Sequence, residues 1–219
     1  MDYLAELHAG HFYHIYNRTN NKEPLFCSNQ NRKLFLNRCE RYLKAYLYTY
    51  AYCLLDNHFH MLVRIRSVAE VFDHIQKLEE PDRTTAEKQF LEMSKDEGTV
   101  HKVLERQFTR LFTSYAMSFN KIWQRSGNLF HRPFKRVEVQ NESHFTNLIR
   151  YIHTNPVKHG LTDDFIFYPW SSYQAFLSDG PTNLERNDVL ECFGSKQLFV
   201  KFHQKDSDCD EISDLLIED

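Results

Sequence analysis

Glycine and proline are scarce, six of each in 219 residues, and that scarcity argues against a loop-rich or many-turn all-β fold. No apolar run approaches the length that spans a bilayer, and the start of the chain lacks the apolar core of a signal peptide. The expectation is therefore a cytoplasmic protein with no membrane partner. Cysteines are few and scattered: Cys27, Cys39, Cys53, Cys192 and Cys209 are odd in number and form no Cys-x-x-Cys pair. They read as reduced thiols, which excludes a disulfide framework and a cysteine zinc site. Internal repeats and low-complexity tracts are absent too. What is present, 42% hydrophobic and 15% aromatic residues, suffices for one compact domain with appendages.

The formal net charge of −3 conceals an uneven distribution. Asp206–Asp219 holds seven acids and no Lys or Arg, which leaves 27 basic and 23 acidic residues, a net +4, for the body. A mildly basic body is compatible with a polyanionic partner. The acidic tail reads as a solvated terminus, with the further expectation that it could occlude a basic face when that partner is absent.

His11–Arg18 alternates aromatic and polar residues as a strand does. Asn29–Tyr46 places Leu34, Phe35, Cys39, Leu43 and Tyr46 at helical spacing, with Ser28 as its N-cap. Two β-rich runs, Tyr48–Leu55 and His58–Arg66, are separated by Asp56-Asn57, residues that tolerate the positive φ of a tight hairpin turn. Residues 67–105 are charge-rich and broken, and read as a partly mobile helical insertion or arm. A long amphipathic helix over Val103–Trp123, a short strand at Val137–Val139 and a helix over Glu142–Val157 closed by Asn155-Pro156 and Gly160 follow. Small helices at Pro169–Leu177 and Asn187–Phe202 complete the chain. This order predicts an α+β fold: a ferredoxin-like sandwich, an antiparallel sheet with helices packed on one face, plus a helical insertion and small C-terminal helices.

Within that frame, His58-Phe59-His60 stands on a strand, where alternation puts both imidazoles on one face and Phe59 on the other. Two neutral imidazoles can hold a divalent cation, but they rarely complete its shell. Asn155 is the candidate third ligand through its amide oxygen, and it lies four residues after Tyr151, on the same helix face. A helix presenting Tyr151 and Asn155 to His58 and His60 would bring a nucleophile and an ion to one phosphate. Each element also has an ordinary structural reading: an incidental His pair, a core tyrosine, an asparagine in a helix-ending turn.

The segment Arg150-Tyr-Ile-His-Thr-Asn-Pro-Val-Lys-His-Gly-Leu161 closely resembles the Tyr-Ile-x-x-Asn-Pro-Val signature of REP-associated tyrosine transposases, in the single-tyrosine HUH transposase superfamily. His58-Phe59-His60 fits that superfamily's His-hydrophobic-His motif. Gly127-Asn-Leu-Phe-His-Arg-Pro-Phe-Lys-Arg136 and Pro169-Trp-Ser-Ser-Tyr173 resemble two further family segments. The resemblance covers roughly residues 11–66 and 106–177, with all four motifs in family order.

It implies a catalytic domain over residues 1–177, with residues 67–105 inserted, followed by a C-terminal helical extension over 178–219. It implies a metal-dependent single-stranded DNA endonuclease and strand-transferase, probing hairpin-forming repeat DNA, in which Tyr151 attacks a phosphate to give a 5′-phosphotyrosine and a free 3′-hydroxyl. His58, His60 and Asn155 would hold Mg or Mn. Arg132, Lys135, Arg136, Arg150 and Lys158 are candidate DNA-phosphate contacts. Trp123, Phe130 and Phe134 are candidates either for base stacking or for the core. A homodimer is compatible with the family. Two alternatives stay open at this level: a non-catalytic nucleic-acid-binding protein on the same fold, and a domain in which His58 and His60 hold a structural zinc. The long 67–105 segment and the acidic tail depart from the family pattern.

Overall fold

The computed structural model describes residues 3–20, 23–93 and 97–204. The acidic tail, Cys209 and any occlusion of a basic face by that tail lie outside the described residues. The chain runs β1 (Phe12–Arg18), α1 (Asn29–Leu43), β2 (Leu47–Leu54), β3 (His58–Ile65), α2 (Val68–Lys77), α3 (Thr85–Glu92), α4 (Glu97–Ile122), β4 (Lys135–Val139), α5 (Glu142–Lys158), α6 (Tyr173–Leu177), α7 (Arg186–Cys192) and α8 (Lys196–His203). The four strands form one antiparallel sheet in the order β2-β3-β1-β4. That is the predicted α+β, ferredoxin-like arrangement, with β1-α1-β2 and β3-α4-β4 as its two halves.

Alternation along the strands sorts the side chains between two cores. Tyr13 and Ile15 of β1 and Phe59, Met61, Val63 and Ile65 of β3 point to one face. There they join Phe35 of α1 and Phe108, Leu111 and Tyr115 of α4. The opposite face carries Leu62, Ala51, Cys53, Val137 and Val139, and these pack against Phe145, Leu148, Ile149 and Ile152 of α5. The expected helices on one face are thus α1 and α4. The structure adds a second helical layer, in which α5 covers Leu62 of β3 together with the apolar residues of β2 and β4 on that face.

Several local expectations are refined. Ser28 caps α1 by accepting from the Asn31 amide. The turn between β2 and β3 needs no positive φ at Asp56 or Asn57, since Gln124 is the only described non-glycine residue with one. A neighbouring segment holds the turn instead: the amides of Leu25 and Phe26 both donate to the Asp56 carbonyl, and Arg32 pairs with the Asp56 carboxylate at 2.7 Å. Helix α5 includes Pro156, as expected, and ends at Lys158, one residue beyond the expected Val157. Proline there removes one amide donor close to the end of the helix, and Gly160 takes the left-handed turn with φ of 65°.

Residues 67–105 do not form a detached arm. Val71, Ile75, Phe90 and Val100 are fully buried in the α1–α4 core. Glu87 is buried as well, accepting from the Tyr46 hydroxyl and from Gln107 Nε2, the latter at 2.8 Å. Each of α2 and α3 begins with a reciprocal capping box, Ser67 with Glu70 and Thr84 with Glu87.

The last helix is fastened to α5 by a buried chain of hydrogen bonds whose directions are all determined. His203 Nδ1 donates to the Phe199 carbonyl (2.8 Å), so His203 Nε2 must accept from His153 Nδ1 (2.9 Å). His153 Nε2 then accepts from Ser172 Oγ (2.7 Å), which itself accepts from the Tyr52 amide of β2 (2.9 Å). Both rings must be neutral for this to hold. Burial lowers the His203 pKa to about 4 and pushes His153 well below the ordinary histidine range.

Between about pH 6.5 and pH 4 the unfolded chain therefore binds protons that the folded chain refuses, and stability falls as pH falls across that window. Urea unfolding should show a midpoint that drops between pH 7 and pH 5; a constant midpoint would refute the assignment. Ser172→Ala leaves His153 Nε2 without a donor and should cost about 1–3 kcal/mol.

Candidate functional site

The register of the sheet assembles the site. Tyr16 of β1 lies opposite His60 of β3 on one side and opposite Lys135 of β4 on the other, while Arg18 lies opposite His58. All of these face α5. His58 and His60 thus share a face with Phe59 on the other, as strand alternation requires, and Phe59 is fully buried in the α1–α4 core.

Helix α5 crosses this face with three residues at four-residue intervals. Tyr151 sits edge-on to His60, with ring centroids 5.5 Å apart. His159, two turns further on, meets His58 at 4.7 Å. Asn155 lies between them on the same helical stripe and is fully buried. The tyrosine helix therefore covers the His58–His60 pair of its own chain.

Electrostatics keep both imidazoles neutral. Burial brings the His58 pKa down to about 3, with His159 and Arg18 nearby adding to the effect. Burial also drives His60 well below its ordinary value, assisted by His14, His58 and His159. His58 Nδ1 is 2.6 Å from the Asn57 side-chain oxygen, which can only accept; Nδ1 must carry the proton, and Nε2 is the lone-pair nitrogen. His60 Nδ1 is 2.9 Å from His14 Nε2. If His60 uses Nε2 as a ligand, its Nδ1–H donates to His14, whose own proton then sits on Nδ1.

The layer between sheet and α5 also holds an unusual number of unpaired polar atoms. Among the described residues eleven buried side-chain nitrogens and oxygens lack a hydrogen-bond partner. Five of them belong to four neighbouring residues: His14 Nδ1, Tyr16 Oη, His60 Nε2 and both amide atoms of Asn155. Folded proteins rarely tolerate this, and such a concentration marks a place built for something else to bind. The donor set suits a divalent cation, with imidazole nitrogen from His60 and His58 and amide oxygen from Asn155. No group of three His, Cys, Asp or Glu side chains able to hold an ion exists among the described residues. An ion held here would need a ligand of another type, such as an amide oxygen.

The remaining candidates divide. Lys158 holds its ammonium 4.9 Å from the centre of the Tyr151 ring, and Lys135, beside Tyr16, holds its own 5.6 Å from the Tyr3 ring. Lys158 thus stands beside the tyrosine, and Lys135 lies on the same sheet face next to Tyr16. Arg132 is exposed on the approach to β4. Arg136 is turned to the other side of the sheet, is buried, and is engaged by the Ala5 carbonyl at 2.7 Å and by Glu105 at 3.0 Å. It fastens the N-terminal segment to α4, so its expected role as a phosphate contact is corrected to a structural one. The strand alternation that brings Lys135 to the site turns Arg136 away. Arg150 directs its guanidinium toward the Phe202 ring, 5.9 Å away, and so toward α8. Phe130 and Phe134 pack in the core against Phe112, whereas Trp123 is 48% exposed.

Three residues that the motifs do not reveal also belong here: His14, Tyr16 and His159. The first two alternate with Tyr13 and Ile15 in His11–Arg18, but only the pairing of β1 with β3 brings them to His60.

No family model matches the chain. A protein of Haemophilus influenzae, provisionally named a REP-associated tyrosine transposase, is 26% identical over 149 residues, spanning 66% of this chain and 68% of that one. The chain is thus similar in sequence to a protein of that description over about two thirds of its length. A solved structure of a REP-associated tyrosine transposase bound to a REP hairpin aligns over 86% of this chain and 93% of its own, with 16% identity and a TM-score of 0.48. That is a loose likeness and assigns no residue. No described helix is long and apolar enough to cross a membrane.

An amide kept buried and unpaired costs stability unless a ligand uses it. Asn155→Leu, of similar size, should accordingly leave the melting temperature of the metal-free protein unchanged or raise it. A fall of several degrees would mean that the amide is already paired within the protein.

Proposed function

We propose that the protein is a single-strand-specific DNA endonuclease and strand-transferase that acts through Tyr151. The observation that carries this reading is the row Tyr151–Asn155–His159 on α5, laid along His60 and His58 with unpaired ligand atoms between them. The similarity to a protein provisionally named a REP-associated tyrosine transposase supports hairpin-forming repeat DNA as the substrate class.

In this mechanism the Tyr151 oxygen attacks a backbone phosphorus of single-stranded DNA and the bond from phosphorus to the 3′-oxygen breaks. The products are a 5′-phosphotyrosine and a free 3′-hydroxyl. The new ester preserves the energy of the broken bond, so a second hydroxyl can reverse the step and rejoin strands. His58, His60 and Asn155 would hold a divalent ion, Mg or Mn by the usual preference of phosphoryl chemistry. When bound, the ion would act as a Lewis acid on the phosphate. Lys158, beside the Tyr151 ring, and Lys135, on the sheet side, would offset phosphate charge.

One observation favours a second reading. Tyr151 is only 1% exposed, as suits a core residue in a hairpin-binding protein that does not cut. A labelled single-stranded hairpin oligonucleotide incubated with Mn²⁺ and run on a denaturing gel separates the two. Cutting predicts a covalent adduct that is lost in Tyr151→Phe and on chelation; hairpin binding with no adduct would favour the non-catalytic protein. Metal binding has its own readout, because Mn²⁺ at about a hundred times its Kd should stabilise the fold by about 2.7 kcal/mol. His60→Ala should abolish that stabilisation, and an undiminished shift would place the ion elsewhere.

A further inference from the structure

Among the described tyrosines whose rings pack on His60, Tyr16 is the one to which no motif assigns a task. Its ring stacks on His60 with centroids 5.6 Å apart and planes 24° apart. Tyr151 approaches the same imidazole edge-on at 5.5 Å. The two tyrosines thus flank His60, one from the sheet and one from α5. Tyr16 also stands directly opposite Lys135 in the register of β1 with β4, so its phenol and that ammonium share one face. Its hydroxyl oxygen is buried and has no hydrogen-bond partner.

Packing does not explain that hydroxyl. Phenylalanine would stack on His60 equally well and would bury no orphaned oxygen, so the chain keeps the oxygen at a cost to stability. An unpaired donor that shares His60 with the proposed nucleophile, with Lys135 opposite it in the sheet and Lys158 against the Tyr151 ring, has the composition of a phosphate cradle.

We propose that Tyr16 is a catalytic residue whose hydroxyl donates a hydrogen bond to a non-bridging oxygen of the phosphate that Tyr151 attacks. This deepens the reading given above and rests on it. In the step itself the Tyr151 oxygen–phosphorus bond forms and the bond to the 3′-oxygen breaks. Tyr151 releases its proton to solvent, the departing 3′-oxygen takes one up from water, and Tyr16 keeps its own throughout. Its contribution is a fixed dipole aimed at charge that shifts during transfer.

The test is Tyr16→Phe, which deletes one oxygen and keeps the ring. The probe is orthovanadate, which takes the five-coordinate geometry of a phosphoryl group in transfer, in buffer containing Mg²⁺. The wild type should bind vanadate, and Tyr16→Phe should bind it about ten- to a hundred-fold more weakly, the usual effect of one hydrogen bond to a charged group. The variant should melt at the same temperature as the wild type or higher. Equal vanadate affinity in the two proteins would overturn the proposal, as would a wild type that ignores vanadate. A lowered melting temperature would also overturn it, because the hydroxyl would then be serving the fold.

The DNA gel separates this inference from the reading beneath it. A Tyr16-dependent vanadate site without any Tyr151 adduct removes the cutting reading and leaves a phosphate site. An adduct that forms at the wild-type rate in Tyr16→Phe removes only the role of Tyr16. An adduct mapped by peptide mass to Tyr16 would make it the nucleophile and also end the proposal.

Discussion

The docking of α5 against the second face of the sheet is the packing on which the rest of the site depends. A four-stranded antiparallel sheet with two helices is complete once one face is covered, and its other face can remain wet. Here that other face is lined by Phe12, Leu62, Val137 and Val139, and α5 answers it with Phe145, Leu148, Ile149 and Ile152. Burial of side chains of this kind stabilises by about 1.5–3 kcal/mol each. The same docking sets Tyr151, Asn155 and His159 over His60 and His58. One apolar contact surface therefore both holds the layer together and fixes the relative positions of the chemically active groups.

That surplus of packing allows the layer to carry polar atoms it does not satisfy. His60, Asn155 and Tyr16 each bury at least one unpaired nitrogen or oxygen in a region of low dielectric, where such groups are costly. They persist because the apolar contacts on either side over-determine the structure. Low dielectric also holds the histidines neutral, which is the state a metal ligand requires. The cost to the free protein and the fitness of the site for a charged ligand are two results of one environment.

The appendages stabilise this arrangement from outside. The chain His203–His153–Ser172–Tyr52 couples α8 to α5 and α5 to β2 through residues that are nearly or fully buried. Because His153 lies two residues beyond Tyr151, the C-terminal helices brace the helix that carries the candidate nucleophile. Residues 67–105 act on the other core, where Phe90, Val71 and the buried Glu87 extend the α1–α4 layer. Their charge-rich sequence suggested independence, but a minority of apolar residues at the right helical positions is enough to anchor a helix pair.

The sequence by itself determined the strands, the main helices and their order, which depend on local periodicity, while the two halves of the candidate site stood out through their resemblance to family motifs. Strand alternation separates His58 and His60 from Phe59, and helical spacing aligns Tyr151 with Asn155. Tertiary structure alone decided how those halves meet, since no local pattern encodes which face of the sheet a later helix will cover. It also decided that Tyr16 and His14 join His60 through β-sheet register. Alternation along β4 sends Lys135 to the site and Arg136 to the opposite core, although the two adjacent cations look equivalent in sequence. Distances between segments far apart in the chain are set by packing of the whole.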